Sequence, residues 1–400
     1  MRLAGARLLT PVLQDYAWGS ATAIARIRGV EPSGDPEAEL WFGAHPKAPS
    51  TIDGQPLDLL LEHDPDLVGS ACVDWFGPGL PYLLKILAAD QPLSLQSHPS
   101  RDQAEAGFAR EEADGIARNA PDRNYRDDWP KPEMLVALEP TEALCGFRDP
   151  AESAALLAQL AVAGLAELIA PLGHDDHIAA VRETFLGFLQ LDNDHRGVVD
   201  RVVEAARAVD EVSPFGRLCA TAVELAGFYP GDPGVLAALL MNRIHLEPYQ
   251  GVFLPAGNMH AYLSGVGVEV MANSDNVLRG GLTPKHVDVD ELAAVVEPTQ
   301  DSSGRWRYET PAPEFALWRL GGDSTELPQA DLGRIVLAID PVTLTFDGSQ
   351  LELGRGAGAF LSAGWRPTRA ARVWRSWPVR DCGDHDAGYR SHTSRLVVTC

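Results

Sequence analysis

Short apolar segments, in which hydrophobic residues alternate with polar or small ones, dominate the first part of the chain. Examples are EAELWFGAHP, PYLLKIL, PLSLQSHP and KPEMLVAL, and prolines or glycines lie at or near their ends. A period of two between turn residues is typical of β-strands with one buried face. The pattern predicts an all-β barrel or sandwich, with Trp18, Trp41 and Phe42 in its core. His45, which precedes Pro46, is interpreted as a turn residue.

Between residues 149 and 243 the hydrophobic positions change to helical spacing. Alanine and leucine recur three and four residues apart in AESAALLAQLAVAGLAELI, and Pro/Gly breaks such as FYPGDPG separate the segments. The longest apolar run, 154–173, contains Gln159, Glu167 and Pro171. It is therefore predicted to be a packed helix and not a membrane span.

After residue 300 the strand pattern returns in PEFALWRL and RIVLAIDPVTLTF. The fold class is thus mainly β with an inserted helical domain. We predict a first barrel from residues 1–148 together with 246–300, a helical insertion at 149–245 and a second small barrel at 301–365. The remainder, 366–400, has seven arginines against three aspartates, and we interpret it as an atypical basic tail.

Composition narrows the class of protein. The 400 residues are 45% hydrophobic and 22% charged, as in a globular protein. The net charge of -23 argues against nucleic acid as a partner, because a phosphate backbone requires a basic surface. Five scattered cysteines without a CxxC pair indicate reduced thiols, and the N-terminus does not resemble a signal peptide. We expect a cytoplasmic protein that binds neither nucleic acid nor membranes.

Polar residues in two of the strand segments suggest a metal site. Strand alternation in PLSLQSHP would place Ser94, Gln96 and His98 on one face. An imidazole and an amide oxygen can reach one ion, although a satisfied polar face is the simpler alternative. Lys131 and Glu133 flank a proline that keeps the chain extended, so they point to the same side. They form either a surface ion pair or part of the same site.

The stretch 250–286 concentrates unusual residues. It contains His260 among small residues, and Glu269, Asp275, Arg279 and Lys285 among aliphatic ones. Unpaired charges in such surroundings are costly, so these groups either pair with each other or hold a ligand. Together the segments offer four ligands with one carboxylate charge, a set that suits zinc first, with manganese, iron or cobalt as alternatives. These ligands are Gln96, His98, Glu133 and His260.

The segments YAWGS, EAELWFGAHP, PLSLQSHP, KPEMLVAL and PAGNMHAYLSGVGVEVMANSDNVLRGGLTPKHVD occur in this order. They resemble the motifs of type I mannose-6-phosphate isomerase, also called phosphomannose isomerase, over residues 16–364. The resemblance implies cupin-type (jelly-roll) β-barrels with a helical insertion. It also implies one zinc ion per chain, held by the four ligands named above.

The reaction that the resemblance implies interconverts mannose 6-phosphate and fructose 6-phosphate, a step of carbohydrate metabolism, by proton transfer between C1 and C2 through an enediol. Such chemistry needs an acid/base, a group that stabilises the enediolate, and a phosphate anchor. Arg279 is the expected enediolate partner. Glu269 and Lys131 are the two candidate bases. Burial would raise the pKa of Glu269, and the alternative is that this acid pairs with Arg279.

The implied partner is a phosphosugar, and the protein is expected to be a monomer, with a weak dimer as the alternative. The residues expected to contact the substrate are Ser94, Lys85, Lys285, Asp275 and Tyr262. One departure from the family is Pro130, which stands where many bacterial relatives have a histidine. It keeps open the alternative of a metal-binding cupin that binds or senses a sugar phosphate without turnover. An iron oxygenase built on His98, His260 and Glu133 is a second alternative, which Gln96 as a fourth ligand argues against.

Overall fold

The computed structural model describes residues 5–191, 197–210, 212–296, 311–321, 331–346, 349–364 and 394–399. Strands dominate both ends of this part of the chain, and most helices lie between them. The strands are β1 (Ala6–Leu9), β2 (Val12–Gln14), β3 (Glu39–Gly43), β4 (Thr51–Ile52), β5 (Gln55–Pro56), β6 (Tyr82–Ala89), β7 (Gln96–Ser97), β8 (Glu133–Ala137), β9 (Thr141–Phe147), β10 (Met241–Leu246), β11 (Gly251–Leu254), β12 (His260–Ala272), β13 (Leu278–Arg279), β14 (Ala316–Gly321), β15 (Arg334–Ala338), β16 (Val342–Phe346), β17 (Ser349–Leu353), β18 (Ala357–Leu361) and β19 (Ser394–Thr399).

The helices are mostly short. Those of the first part are α1 (Ala23–Arg28), α2 (Leu57–His63), α3 (Ser70–Phe76) and α4 (Arg101–Ala113). Those of the middle part are α5 (Pro150–Ala158), α6 (Leu165–Leu168), α7 (His177–Leu189), α8 (Val198–Ala206), α9 (Pro214–Phe228) and α10 (Gly234–Ala238), and α11 (Val289–Val295) follows later. The predicted mainly β fold with a helical part is confirmed. Among the helices described, none combines the length and apolar character that a membrane span needs.

The larger sheet is organised around β12. Its main path runs β10-β9-β12-β6-β3-β2, and β7, β8, β11 and β13 attach to it. The first half of β12 pairs with β7 and β9, and its second half pairs with β6 and β8, always antiparallel. One strand therefore carries residues past four others, which places side chains from distant segments on a common inner face.

The smaller main sheet has the order β1-β18-β15-β19-β14. It contains β1 from the predicted first barrel and β19 from the predicted basic tail, paired antiparallel with β18 and with β14 and β15. The domain division given above remains a proposal. Its bounds change at both ends, because β1 and β19 belong to the smaller sheet. The rest of the tail, 366–393 and 400, lies outside the described residues.

The outer face of the larger sheet packs against the smaller sheet. One apolar cluster contains Phe42, Leu84 and Val268 from the larger sheet together with Ile335 and Phe360 from the smaller one. These side chains are fully or almost fully buried. The contact is close, because a Cβ added at Gly358 would lie 2.5 Å from the ring of Phe42.

Substituting Gly358 with alanine is therefore expected to lower the free energy of unfolding by about 1 to 3 kcal/mol, because the Phe42 ring cannot move without disturbing the core. Urea titration would measure the change. Gly354→Ala is the matched control, since a Cβ there meets no atom within 4 Å. Equal stability of the two variants would contradict this description of the packing.

The helical part packs on the first half of β12. Buried residues of the helices, such as Phe185, Val202 and Leu225, form one cluster with Ala261 and Leu263 of that strand. The helices thus cover the outer surface of the sheet beside the end of β12 that begins with His260.

Ser100 and Gln103 form the capping box at the start of α4. The strand predicted over PLSLQSHP is wrong in extent, since only Gln96–Ser97 forms β7. The N–H of Leu93 donates to the carbonyl of Tyr262 and that of Leu95 to the carbonyl of Gly281, so this extended segment bridges two elements without forming a continuous ladder.

Candidate active site

Charged side chains line the inner face of the larger sheet. Glu269 lies opposite Lys85, and Lys85 lies opposite Trp41 on its other side. Directly opposed residues of paired strands share a face. Glu133 lies on the same face, because it pairs with Met271, two residues beyond Glu269. The alternating aliphatic positions point outward, toward the smaller sheet. Strand alternation therefore places these charges inside the barrel.

His98, Glu133 and His260 converge at one point. Their nearest ligand atoms lie within 4.8 Å of one another. The Nε2 atoms of His98 and His260 lie 3.3 and 3.2 Å from the same oxygen, Glu133 Oε2. The three residues are 0%, 2% and 1% exposed in chain order. Three distant segments thus bring nitrogen and oxygen atoms together in a dry environment.

The second ring nitrogens fix the orientation of both imidazoles. His98 Nδ1 lies 2.8 Å from the carbonyl oxygen of Asn276, and His260 Nδ1 lies 3.2 Å from that of Asn258. Because a carbonyl oxygen only accepts, each Nδ1 carries a proton, and in a neutral ring Nε2 then presents a lone pair to the centre. Burial, assisted by the charge of Lys131, lowers the pKa of His98 to about 4, so its ring is neutral.

These lone pairs fit a cation. His98 Nε2, His260 Nε2 and Glu133 Oε2 are buried and have no hydrogen-bond partner among the described residues. Two lone pairs that face a carboxylate oxygen repel it unless a positive charge lies between them. Imidazoles held through Nδ1 by carbonyl groups are the usual arrangement around a bound metal.

Lys131 contacts the other oxygen of the same carboxylate. Its Nζ lies 3.0 Å from Glu133 Oε1, and both side chains are buried. Burial alone would raise the pKa of Glu133, but the charge of Lys131 outweighs it and holds this pKa well below its ordinary value. The expectation that Lys131 and Glu133 point to the same side is confirmed.

Gln96 lies beside this cluster. In β7 it is opposite His260 of β12 on one side and opposite Arg279 of β13 on the other. The three side chains therefore share one face of the sheet. Ser94 precedes β7 and is half-buried. The pairing brings an amide and a guanidinium next to the two imidazoles.

A second buried cluster surrounds Glu269. Its Oε2 lies 2.8 Å from Lys85 Nζ, and its Oε1 accepts a 2.9 Å hydrogen bond from the Tyr262 hydroxyl. Lys85 also lies 3.4 Å from Glu39. Burial raises the pKa of Glu269, and the charge of Glu133 adds to this effect, although Lys85 opposes it. The alternative pairing of Glu269 with Arg279 is wrong, because strand register places Lys85 opposite the acid.

Cationic groups gather near Arg279. Burial and the charge of Arg126 lower the pKa of Arg279. Burial lowers the pKa of Lys285 too, together with the charges of Arg279, Lys47 and Arg126. Four positive groups thus repel one another, an arrangement that favours an anionic ligand. Sequence reasoning missed Lys47 and Arg126, although Lys47 is one of only four lysines in the chain.

Two loops are cross-linked beside the site. Asp127 accepts hydrogen bonds from the hydroxyl of Ser274 and from the backbone N–H of Asp275. The Asn276 amide donates to the carbonyls of Asp127 and Trp129. Because Asn276 also holds the His98 ring, the network couples the loop that leads to Lys131 to the cluster of imidazoles.

Comparison with known proteins agrees with this geometry. A family model described as phosphomannose isomerase type I, catalytic domain, matches residues 7–150. The chain is 37% identical over 388 residues to mannose-6-phosphate isomerase of Shigella flexneri, which covers 90% of this chain and 97% of that relative. Human mannose-6-phosphate isomerase is 30% identical over 380 residues, covering 84% of this chain and 85% of that relative.

Solved structures resemble the whole chain. A mutant of phosphomannose isomerase from Salmonella typhimurium superposes with a TM-score of 0.85 at 32% identity and covers 99% of both chains. A mannose 6-phosphate isomerase bound with zinc and yttrium gives a TM-score of 0.81 at 33% identity, again over 99% of both chains. These neighbours confirm the cupin-type fold. The chain therefore belongs to the type I phosphomannose isomerase family.

Proposed function

We propose that this protein is a metal-dependent aldose-ketose isomerase that interconverts mannose 6-phosphate and fructose 6-phosphate. One observation carries the proposal: the unpaired Nε2 atoms of His98 and His260 meet Glu133 Oε2 inside the barrel. Beside them lie a buried acid of raised pKa, Glu269, and a group of cations around Arg279. A metal site, a base and an anion site are what isomerisation of a sugar phosphate requires.

His98, Glu133, His260 and Gln96 are the proposed ligands of one zinc ion per chain. Two imidazoles, a carboxylate and an amide oxygen form a donor set that suits a borderline divalent cation. A relative of similar fold has been solved with zinc bound. When bound, zinc supplies Lewis-acid polarisation of the sugar oxygens.

Glu269 is the proposed base. Its raised pKa brings a carboxylate toward the range in which it can take the C2 proton of mannose 6-phosphate and return it to C1. Tyr262 and Lys85 hold its two oxygens in place. Lys131, the alternative base, is engaged by Glu133 at 3.0 Å and is better suited to stabilise negative charge near the metal ligands.

Arg279 is the proposed partner of the enediolate oxygen. It lies on β13 opposite Gln96, next to the proposed metal ligands, and is half-buried. A guanidinium keeps its charge even where burial lowers its pKa. Negative charge that develops on a sugar oxygen during proton transfer would find this fixed cation in a partly desolvated site.

Lys47, Arg126 and Lys285 are the proposed phosphate anchor. Lys85, expected from the sequence to contact the substrate, is held by Glu269 and Glu39 and is now assigned to positioning Glu269. The repulsion that lowers the pKa of Lys285 would be relieved by a bound dianion.

The double variant Arg126→Gln/Lys285→Gln is expected to raise KM for mannose 6-phosphate by about 30- to 100-fold, since each cation contributes a charge-assisted contact to the phosphate. Steady-state kinetics and inhibition by inorganic phosphate would measure the change. Arg207→Gln, an exposed arginine of the helical part, is the matched control. Unchanged phosphate inhibition in the double variant would place the anchor elsewhere.

A coupled assay tests the function as a whole. Purified protein is given mannose 6-phosphate with and without a chelator, and fructose 6-phosphate is measured alongside metal content. Turnover that is lost on chelation and restored by zinc supports the isomerase. Bound metal without turnover would leave only a sugar-phosphate binding protein, the alternative that Pro130 keeps open.

We also propose that the enzyme works as a monomer in the cytoplasm. The scattered cysteines support a reducing compartment, and Cys145 and Cys219 are buried thiols. Light scattering of the purified protein and fractionation of cells test the two statements separately.

A further inference from the structure

His45 lies in the site although neither the metal cluster nor the base uses it. It follows β3, is 2% exposed, and its ring packs edge-on against Trp41 with centroids 5.1 Å apart. The charged groups that face it are Asp275, Lys85, Lys131 and Lys47. His45, which the sequence indicated only as a turn residue, therefore places an imidazole among the residues of the active site.

The contacts of this ring fix where its hydrogen lies. The backbone N–H of Lys47 donates to His45 Nδ1 at 3.3 Å, so Nδ1 is an acceptor. Burial, with the neighbouring lysines, outweighs the charge of Asp275 and lowers the pKa of His45 to about 4. The neutral ring then has a single N–H, on Nε2, which faces Asp275.

The spacing between Nε2 and Asp275 suits a third atom. His45 Nε2 lies 3.7 Å from Asp275 Oδ1, which is too far for a direct hydrogen bond. One oxygen atom can lie about 2.8 Å from both, accept from the N–H and donate to the carboxylate. A hydroxyl group does both, whereas a carbonyl or a phosphate oxygen does not.

The neighbours of His45 indicate which part of a sugar lies there. Lys131 contacts the metal ligand Glu133, and Lys85 contacts the proposed base Glu269. Lys47, two residues along the chain from His45, belongs to the cations around Lys285. His45 therefore lies between the end of the site that holds the reacting carbons and the end that holds the phosphate, where C3 and C4 of a hexose 6-phosphate would lie.

We propose that His45 and Asp275 together bind one secondary hydroxyl of the sugar, at C3 or C4, and so select sugar phosphates that carry it. The inference rests on the proposed function and adds a specificity determinant to it. An analogue without this hydroxyl would leave the buried N–H of His45 without an acceptor, which is how a site rejects a deoxy substrate.

The test measures each enzyme variant with mannose 6-phosphate and with its deoxy analogues. For wild type, we expect kcat/KM for either 3-deoxy- or 4-deoxymannose 6-phosphate to be roughly 100-fold below that for mannose 6-phosphate. In His45→Asn the amide oxygen can still accept from the Lys47 N–H, but no donor reaches the hydroxyl. With mannose 6-phosphate, kcat/KM of this variant should be roughly 100-fold below that of wild type. With that deoxy analogue, kcat/KM of the variant and of wild type should be almost the same.

Two variants serve as comparisons. His45→Gln places an amide N–H near the position of Nε2 and should recover most of the discrimination between the parent sugar and its deoxy analogue. His174→Asn, an exposed histidine of the helical part, should behave as wild type. Zinc content and unfolding temperature verify that each variant is folded.

A loss of turnover that does not depend on the sugar hydroxyl would overturn the inference. If His45→Asn reduces turnover of mannose 6-phosphate and of both deoxy analogues by the same factor, His45 supports the structure and binds no hydroxyl. Absence of mannose 6-phosphate turnover by wild type is a different result, because it contradicts the proposed function before His45 is tested.

Discussion

Replacing Glu269 with glutamine is expected to lower kcat for mannose 6-phosphate by about 10³- to 10⁴-fold, the contribution of a positioned general base. Glutamine has the shape of glutamate, and its amide oxygen can accept one of the two hydrogen bonds that Tyr262 and Lys85 now donate to the separate oxygens of Glu269. It cannot take a proton from carbon. Metal content should be unchanged, since Glu269 is not among the three residues that converge at the proposed metal site.

Solvent deuterium incorporation at C1 and C2 would measure this effect directly, because it reports carbon deprotonation without depending on later steps. Glu39→Gln is the matched control: Glu39 is a buried carboxylate that also contacts Lys85, at 3.4 Å. Its loss should cost about 10-fold or less, since it only helps to hold the lysine. Exchange that survives in Glu269→Gln but disappears in Lys131→Ala would assign the base to Lys131.

Part of the metal cluster was accessible from the sequence, because an extended chain places alternate side chains on the same side. Lys131 and Glu133 flank a proline and could be assigned to one side, and their 3.0 Å contact agrees. The pairing partner of Glu269 was not accessible in this way. Arg279 lies ten residues away in sequence, but register places Lys85, on another strand, directly opposite Glu269. Register between distant strands is a property of the assembled sheet.

The residues that sequence reasoning missed come from loops. Arg126 lies in a segment whose path depends on hydrogen bonds between Asp127 and the distant residues Ser274 and Asp275. His45 follows a strand end, where local pattern indicates only a turn. Such positions are set by long-range contacts, so a single sequence gives their chemistry but not their location.

The strand pairings of the two chain ends were likewise not predictable from the local sequence. The strand Ala6–Leu9 pairs with Ala357–Leu361, and Ser394–Thr399 inserts beside Arg334–Ala338. The basic composition of the residues before Ser394 concealed a short run with β-branched residues, RLVVT, that forms a strand. Composition over a long window averages out a strand of six residues.

Replacing His98 with asparagine is expected to abolish stoichiometric zinc binding and to lower kcat/KM by more than about 10³-fold. Asparagine is too short to bring a nitrogen to the position of Nε2, and Glu133 Oε2 then faces a single imidazole, that of His260. Elemental analysis and the coupled assay would measure both losses. His174→Asn, an exposed histidine, is the matched control.

Chelation separates the role of the metal from a general effect of the substitution on folding. An ion that binds only the folded protein stabilises it by about 4 kcal/mol at a thousand times its Kd, so a chelator should lower the unfolding temperature of wild type by several degrees. The same chelator should leave His98→Asn unchanged, because that variant holds no ion to remove. If both proteins respond equally, the stabilising ion binds elsewhere. If neither responds and wild type retains turnover, His98, Glu133 and His260 form a buried polar cluster that needs no metal, and the proposed mechanism loses its Lewis acid.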